Sequence, residues 1–174
     1  MDAVLHVFFA TGRIKHNSWW HRQVSRIIRV LTLSPICHCM IGFEGAVLNP
    51  NLAGVLYWPH DTAVRHFPSL YAVFRVPVQH NPGLKSFEKF VGVAQPAIPR
   101  LIRWLRFGRG PWVYDCLCIA LACLKNAGVP VDPHISTPAG LYRWLKQKGY
   151  AHVSHAGKTD AEFRHNAEEY GTTD

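Results

Sequence analysis

The stretch "GPWVYDCLCIALACLKNAGV", residues 110–129, decides how this chain is read. Pro111 and the β-favouring Trp112, Val113 and Tyr114 stand ahead of an apolar run of helical length, and Gly128 closes that run where a C-terminal glycine belongs. The spacing predicts a helix that starts at or just before Cys116. A helix start carries partial positive charge and N–H groups without partners in the helix, so a cysteine in its first turn has its thiolate stabilised. The same N–H groups can hold a developing oxyanion. Cys118, two positions on and about 200 degrees around the helix, faces the opposite way, so only one of the two thiols can look into a given cleft.

A cysteine nucleophile needs a base, and histidine is the usual one. Most of the eleven histidines sit in settings that read as polar and solvated, as in "WPHD" (58–61), "VQHN" (78–81) and the tail. His38 differs, because "SPICHCMIGF" (34–43) reads as a strand. The period of two sends Cys37 and Cys39 to one face and His38, with Met40, to the other. Cys37, Cys39 and Cys123 are expected as small core residues, the usual place of a free cysteine.

Working outward, "AVLHVFFAT" (3–11) predicts a buried strand. "NSWWHRQVSRIIRVLT" (17–32) places Trp20, Val24, Ile27, Ile28 and Leu31 at helical spacing, with Asn17 or Ser18 as N-cap and Pro35 as the stop. "ICHCMIGFEGAVLNP" reads as two short strands joined at Glu44-Gly45, and "SLYAVFRVPV" (69–78) as another strand. "LKSFEKFVGVA" and "AIPRLIRWLRFG" turn helical, broken by Pro96, Pro99 and Gly108. "STPAGLYRWLKQKG" (136–149) is a last helix, capped by Thr137, begun by Pro138 and closed by Gly149. Strands before residue 80 and helices after it predict a small α+β domain, an antiparallel sheet of about four to six strands packed against helices. It is read as one unit over residues 1–153, followed by a flexible polar tail, 154–174.

Composition narrows the classes. Hydrophobic residues make up 48% and charged residues 17%, a globular balance that excludes a disordered chain. The net charge of +8 favours an anionic partner: a membrane or cell-wall surface, a nucleic acid or an acidic polymer. Five cysteines, odd in number and bunched, fit no disulfide framework and suggest reduced thiols in a cytosol-like compartment. The sequence shows no secretion signal at its start and no apolar run of membrane-spanning length.

The order of these parts resembles a known family. A helix "VSRIIRVLTLSP", a His-bearing strand, a glycine turn, "AVLNPNLAGV", a later strand, "VYDCLCIALACLKNAGV" and "TPAGLYRWL" are similar to the circularly permuted papain-like hydrolases of the YaeF/YiiX type. These are relatives of the NlpC-type cell-wall peptidases and of the lecithin:retinol acyltransferase group, and the resemblance covers about residues 3–150. It implies Cys116 as nucleophile, His38 as general base and a polar third member on the strand after the histidine, with Asn49 the best match and Glu44 and Asn51 its competitors. Asn49 could equally be a turn residue before Pro50. Tyr114 and Asp115 stand where the NlpC-type pattern has an aromatic-Asp pair, and Asp115 could simply cap the helix. Leu117 replaces the serine common after the nucleophile. The implied activity is acyl transfer from an amide or ester of a peptide, glycopeptide or acyl lipid, with no metal and no other cofactor.

Three other readings compete. Cys37, His38, Cys39, Cys116 and Cys118 could be a zinc site, but the C-x2-C spacing is absent. "GRIKHNSWWHRQVSRIIR" and "PRLIRWLRFGRG" could bind nucleic acid, though no base-reading motif accompanies them and amphipathic helices with solvated basic faces explain both. A catalytically silent, virion-associated or binding module of the same fold is the third.

Overall fold

A computed structural model describes residues 3–11, 23, 26, 29–30, 33–51, 54–66, 70–79, 91 and 116–154. Strands β1 (Val4–Ala10), β2 (His38–Phe43), β3 (Ala46–Asn51), β4 (Gly54–Pro59), β5 (Leu70–Pro77) and β6 (His152–Ser154) form one sheet in the order β4-β3-β2-β1-β5-β6. Every neighbouring pair is antiparallel. Helices α1 (His60–His66), α2 (Cys116–Asn126) and α3 (Pro138–Gln147) are described along their whole length. The fold is thus a small α+β domain with an antiparallel sheet, as the element pattern predicts.

Both faces of the sheet are covered, which is why β1 reads as an almost unbroken apolar run. Leu5, Val7 and Phe9 join Ile41, Phe43, Leu48, Phe74 and Val76 in a core shared with α2 and α3. Phe8 and Ala10 face the other way, into a smaller cluster with Met40, Val47, Val73 and the α1 residues Ala63 and Val64. A strand whose alternate residues enter two different cores needs no polar face.

Local chemistry sets the turns and helix ends. Glu44 and Gly45 both have positive φ (48° and 74°), the two-residue connection whose twist suits a tight hairpin, and Phe43 pairs with Ala46 across it. At α2 the N–H of Gly128, itself at φ 82°, reaches Lys125 O, and that of Val129 reaches Leu124 O. These are the paired bonds of a glycine C-terminal motif. Helix α3 starts on Thr137, whose Oγ1 accepts from the Gly140 N–H at 3.0 Å, and closes through Gly149 in the same way as α2.

Gly42 faces His6 across the β1–β2 ladder, and a Cβ there would lie 2.9 Å from Phe8 Cε2 and 3.2 Å from Ala46 O. The Phe8 ring is fully buried and has no room to retreat. Gly42→Ala is therefore expected to destabilise the fold by about 1–3 kcal/mol, read from urea unfolding, with the slope of the transition unchanged.

Some expectations fall elsewhere. Of the 17–32 helix, Gln23, Arg26, Arg29 and Val30 are helical, and Trp20, Val24, Ile27, Ile28 and Leu31 lie outside the described residues. So do the two helical stretches expected between residues 82 and 108, except Val91 in a turn, and the tail from 155 on. Strand β4, helix α1 and strand β6 are additions to the sequence reading. Leu56 and Tyr57 of β4 are both exposed, so this edge strand shows no alternation to read. Ser154, assigned to the tail, ends β6. His60 corrects the expectation of solvated histidines: it is 9% exposed, packs its ring 5.3 Å from that of His6, and has its pKa lowered by burial against a smaller opposing effect of Asp61. No helix among the described residues is long and apolar enough to cross a membrane.

Candidate active site

Helix α2 begins at Cys116, with no acidic residue in its first turn to oppose a thiolate. Leu117, Ile119, Ala120, Cys123 and Leu124 are buried, which anchors the helix on the sheet, while Cys116 and Cys118 are half-buried. The Leu117 side chain belongs to the core, so only its main-chain N–H is left for an oxyanion. Tyr114 and Asp115 lie outside the described residues.

The histidine arrives from the opposite direction. The Cys37 N–H donates to Ala10 O at 3.1 Å and sets β2 alongside β1, which makes His38 the first residue of its strand. Its Nε2 lies 3.0 Å from Asn49 Oδ1. An amide oxygen only accepts, so Nε2 carries the proton and Nδ1 is left with the lone pair a base requires. Asn49 is 3% exposed and lies within β3, so it is a strand residue rather than a turn residue. Pro50 is tolerated beside it because the β2–β3 ladder ends at Ile41–Leu48, before the residue that lacks an N–H. Of the competitors for the third position, Glu44 sits exposed in the hairpin turn at the far end of β2, and Asn51 ends β3 opposite Gly54.

Cys116 and His38, 78 positions apart in sequence, are brought near enough for His38 to act on the Cys116 thiol. The Cys116 thiol is held well below its ordinary pKa. The largest cause is a hydrogen bond from the Cys39 side chain; burial acts against it, and the charge of His38, the His38 hydrogen bond and the Cys39 backbone add to the lowering. Cys39 is the residue that sequence reasoning missed. Alternation places it with Ile41 on the α2 face, in the core against which Cys116 packs, and so on the other side of the strand from His38. Its adjacency to the histidine was the available signal. Among the described residues, no three His, Cys, Asp or Glu side chains are gathered in a way that could hold a metal ion.

The cause of the depressed pKa makes a prediction. Alkylation of Cys116 by iodoacetamide should hold its plateau rate below the ordinary thiol pKa of about 8.5, and Cys39→Ala should move the acidic limb of the profile upward. Rates mapped to each cysteine by mass spectrometry check both, and a Cys116 limb at the ordinary value would remove the activated thiolate.

No model of a known protein family matches the chain, and no curated protein sequence is significantly similar to it.

Proposed function

We propose that the chain is a thiol hydrolase of the permuted papain-like type that cleaves an amide or ester through an acyl-enzyme. The observation that carries this reading is His38, held by Asn49 through Nε2 and acting on the thiol of Cys116, which is half-buried at a helix start. In this mechanism the Cys116 sulfur attacks the acyl carbon, and main-chain N–H groups at the start of α2 hold the oxyanion. His38 passes the thiol proton to the leaving amine or alcohol, and the bond to that group breaks as a thioester forms. Water, deprotonated by His38, then attacks the thioester and releases the acid. Asn49 fixes the tautomer and the plane of the ring.

A surface formed just before the His38 strand in sequence favours acyl lipids among the candidate substrates. The helix containing Arg26, Arg29 and Val30 ends with Leu33 N–H on Val30 O and Ser34 N–H on Arg29 O. In this motif the turning position is usually glycine. Here it is Leu33, at φ 48° and 93% exposed, next to Val30 at 65%. An apolar side chain kept in a left-handed conformation and pushed into solvent opposes stability, and such strain clusters at functional surfaces. Arg26 and Arg29 line an open hollow with Val30, Ser34 and Pro35. Basic and apolar groups together suit an anionic bilayer surface, and this one lies a few residues before His38.

Two measurements test the proposal. Intact-mass labelling with peptide, ester and acyl-lipid electrophiles should modify Cys116, with the acyl-lipid probe fastest; no labelling by any of them favours the silent binding module. In co-sedimentation with phosphatidylserine-containing vesicles, Leu33→Gly should weaken binding about tenfold while raising stability by about 1 kcal/mol. A variant that gains stability and binds as well as the original would remove the interfacial role.

A further inference from the structure

We propose that α1 is an acid-released cover, held on one face of the sheet while the His60 ring is neutral and let go when that ring takes a proton. The inference goes beyond the hydrolase reading and touches it only through Asn49. His60 opens α1 with its N–H on Gly45 O at 2.7 Å, so the helix is pinned to the β2–β3 hairpin through this residue. Its ring is buried, 5.3 Å from that of His6 and 5.2 Å from that of Phe8, and its Nε2 has no hydrogen-bond partner among the described residues. A neutral imidazole occupies that place at the cost of one missing hydrogen bond, whereas an imidazolium would bury a charge in it. Helix α1 is seven residues long and packs through Ala63 and Val64 on the cluster that holds Met40 and Val47, so the loss of one anchor weighs heavily.

The groups around the ring favour its neutral form. Strand β1 brings His6, a second imidazole, and β5 brings Arg75, a cation directly opposite His6 in the ladder and so on the same face. Met40 of β2 and Val47 of β3 carry no charge, and His38 lies at the far end of β2 from Gly42, the residue that faces His6. Glu44 in the hairpin turn and Tyr57 of β4 are exposed, as is Asp61 of α1, whose charge acts against the effect; the side chains of Arg65 and His66 lie outside the described residues. Burial outweighs Asp61, so the ring of the closed form takes its proton at a lower pH than an exposed histidine. Once α1 opens, His60 returns to the ordinary value of about 6.5. Below that value the open form binds a proton that the closed form refuses, so acid favours opening until the lowered value of the closed form is reached; above it the effect is absent. The period of two in β3 puts Asn49 on the face of Val47, so release of α1 lets water reach the side chain that orients His38.

Amide hydrogen exchange of the full chain, followed by mass spectrometry from about pH 7.5 to about pH 5.5 and corrected for the pH dependence of exchange in an open peptide, measures the opening of α1. Opening over His60–His66 should rise about tenfold across that range, and β3 should follow, while α3, which packs on the other face of the sheet, holds its protection. His60→Phe, which fills the place with a ring that cannot charge, should abolish the rise. Equal protection of α1 at both ends of the range in the original protein overturns the proposal whether or not the variant folds. A rise that persists in His60→Phe overturns it too, by assigning the proton to another group, and so does a parallel loss of protection in α1 and α3, which is acid unfolding of the whole domain. Exchange is independent of acyl chemistry: acid release of α1 in a protein that no acyl probe labels keeps the switch and removes the hydrolase, while acyl labelling with α1 protected throughout removes only the switch.

Discussion

Cys116→Ala and His38→Ala are each expected to lower turnover of the acyl substrate that labels Cys116 by about 10⁴-fold or more, and the double mutant is expected to be no slower than the worse single. The non-additivity follows from the two side chains sharing one proton in the proposed mechanism. A base without its nucleophile has no proton to take, and a thiol without its imidazole partner loses both the proton relay and part of what favours its thiolate. Asn49→Ala should cost less, because Asn49 orients the ring and does not react. The pH–rate profile separates these roles: loss of the Asn49 anchor frees the ring to rotate or change tautomer, which lowers the plateau, whereas loss of His38 removes one limb. If the double mutant multiplied the two single effects, the pair would not be acting as a unit.

Phe9→Ala should have the largest effect on stability, about 3–5 kcal/mol. Its ring is fully buried in the central strand and makes edge-on contacts with Phe74 at 5.7 Å and Tyr142 at 5.4 Å, so it joins β1, β5 and α3 at one point. No neighbour can collapse into the void, because β1 is hydrogen-bonded to strands on both sides. For a domain of this size the loss is a large share of a total stability of about 5–15 kcal/mol. Urea unfolding should show a markedly lower midpoint, and a loss below about 1 kcal/mol would mean that the core is looser than these contacts indicate.

The sequence by itself determined what depends on neighbours along the chain. Thr137 with Pro138, and Gly128 and Gly149 after their helices, set the helix ends because capping bonds form within a few residues. Glu44-Gly45 set the hairpin for the same reason. Cys116 and His38 stood out because a helix start and a strand are local environments. Tertiary structure decided what depends on register and approach. Asn49 rather than Glu44 reaches the imidazole because the hairpin returns β3 alongside β2 and carries Glu44 to the opposite end. His60 is buried only because α1 folds back over the sheet, and nothing within "WPHD" reveals that cover. Strand periodicity could assign Cys39 to a face of β2, but only the packing of α2 on that face could set Cys116 against the core that holds Cys39. A period of two records which side a residue faces; which atom meets it there is set by where the other elements come to rest.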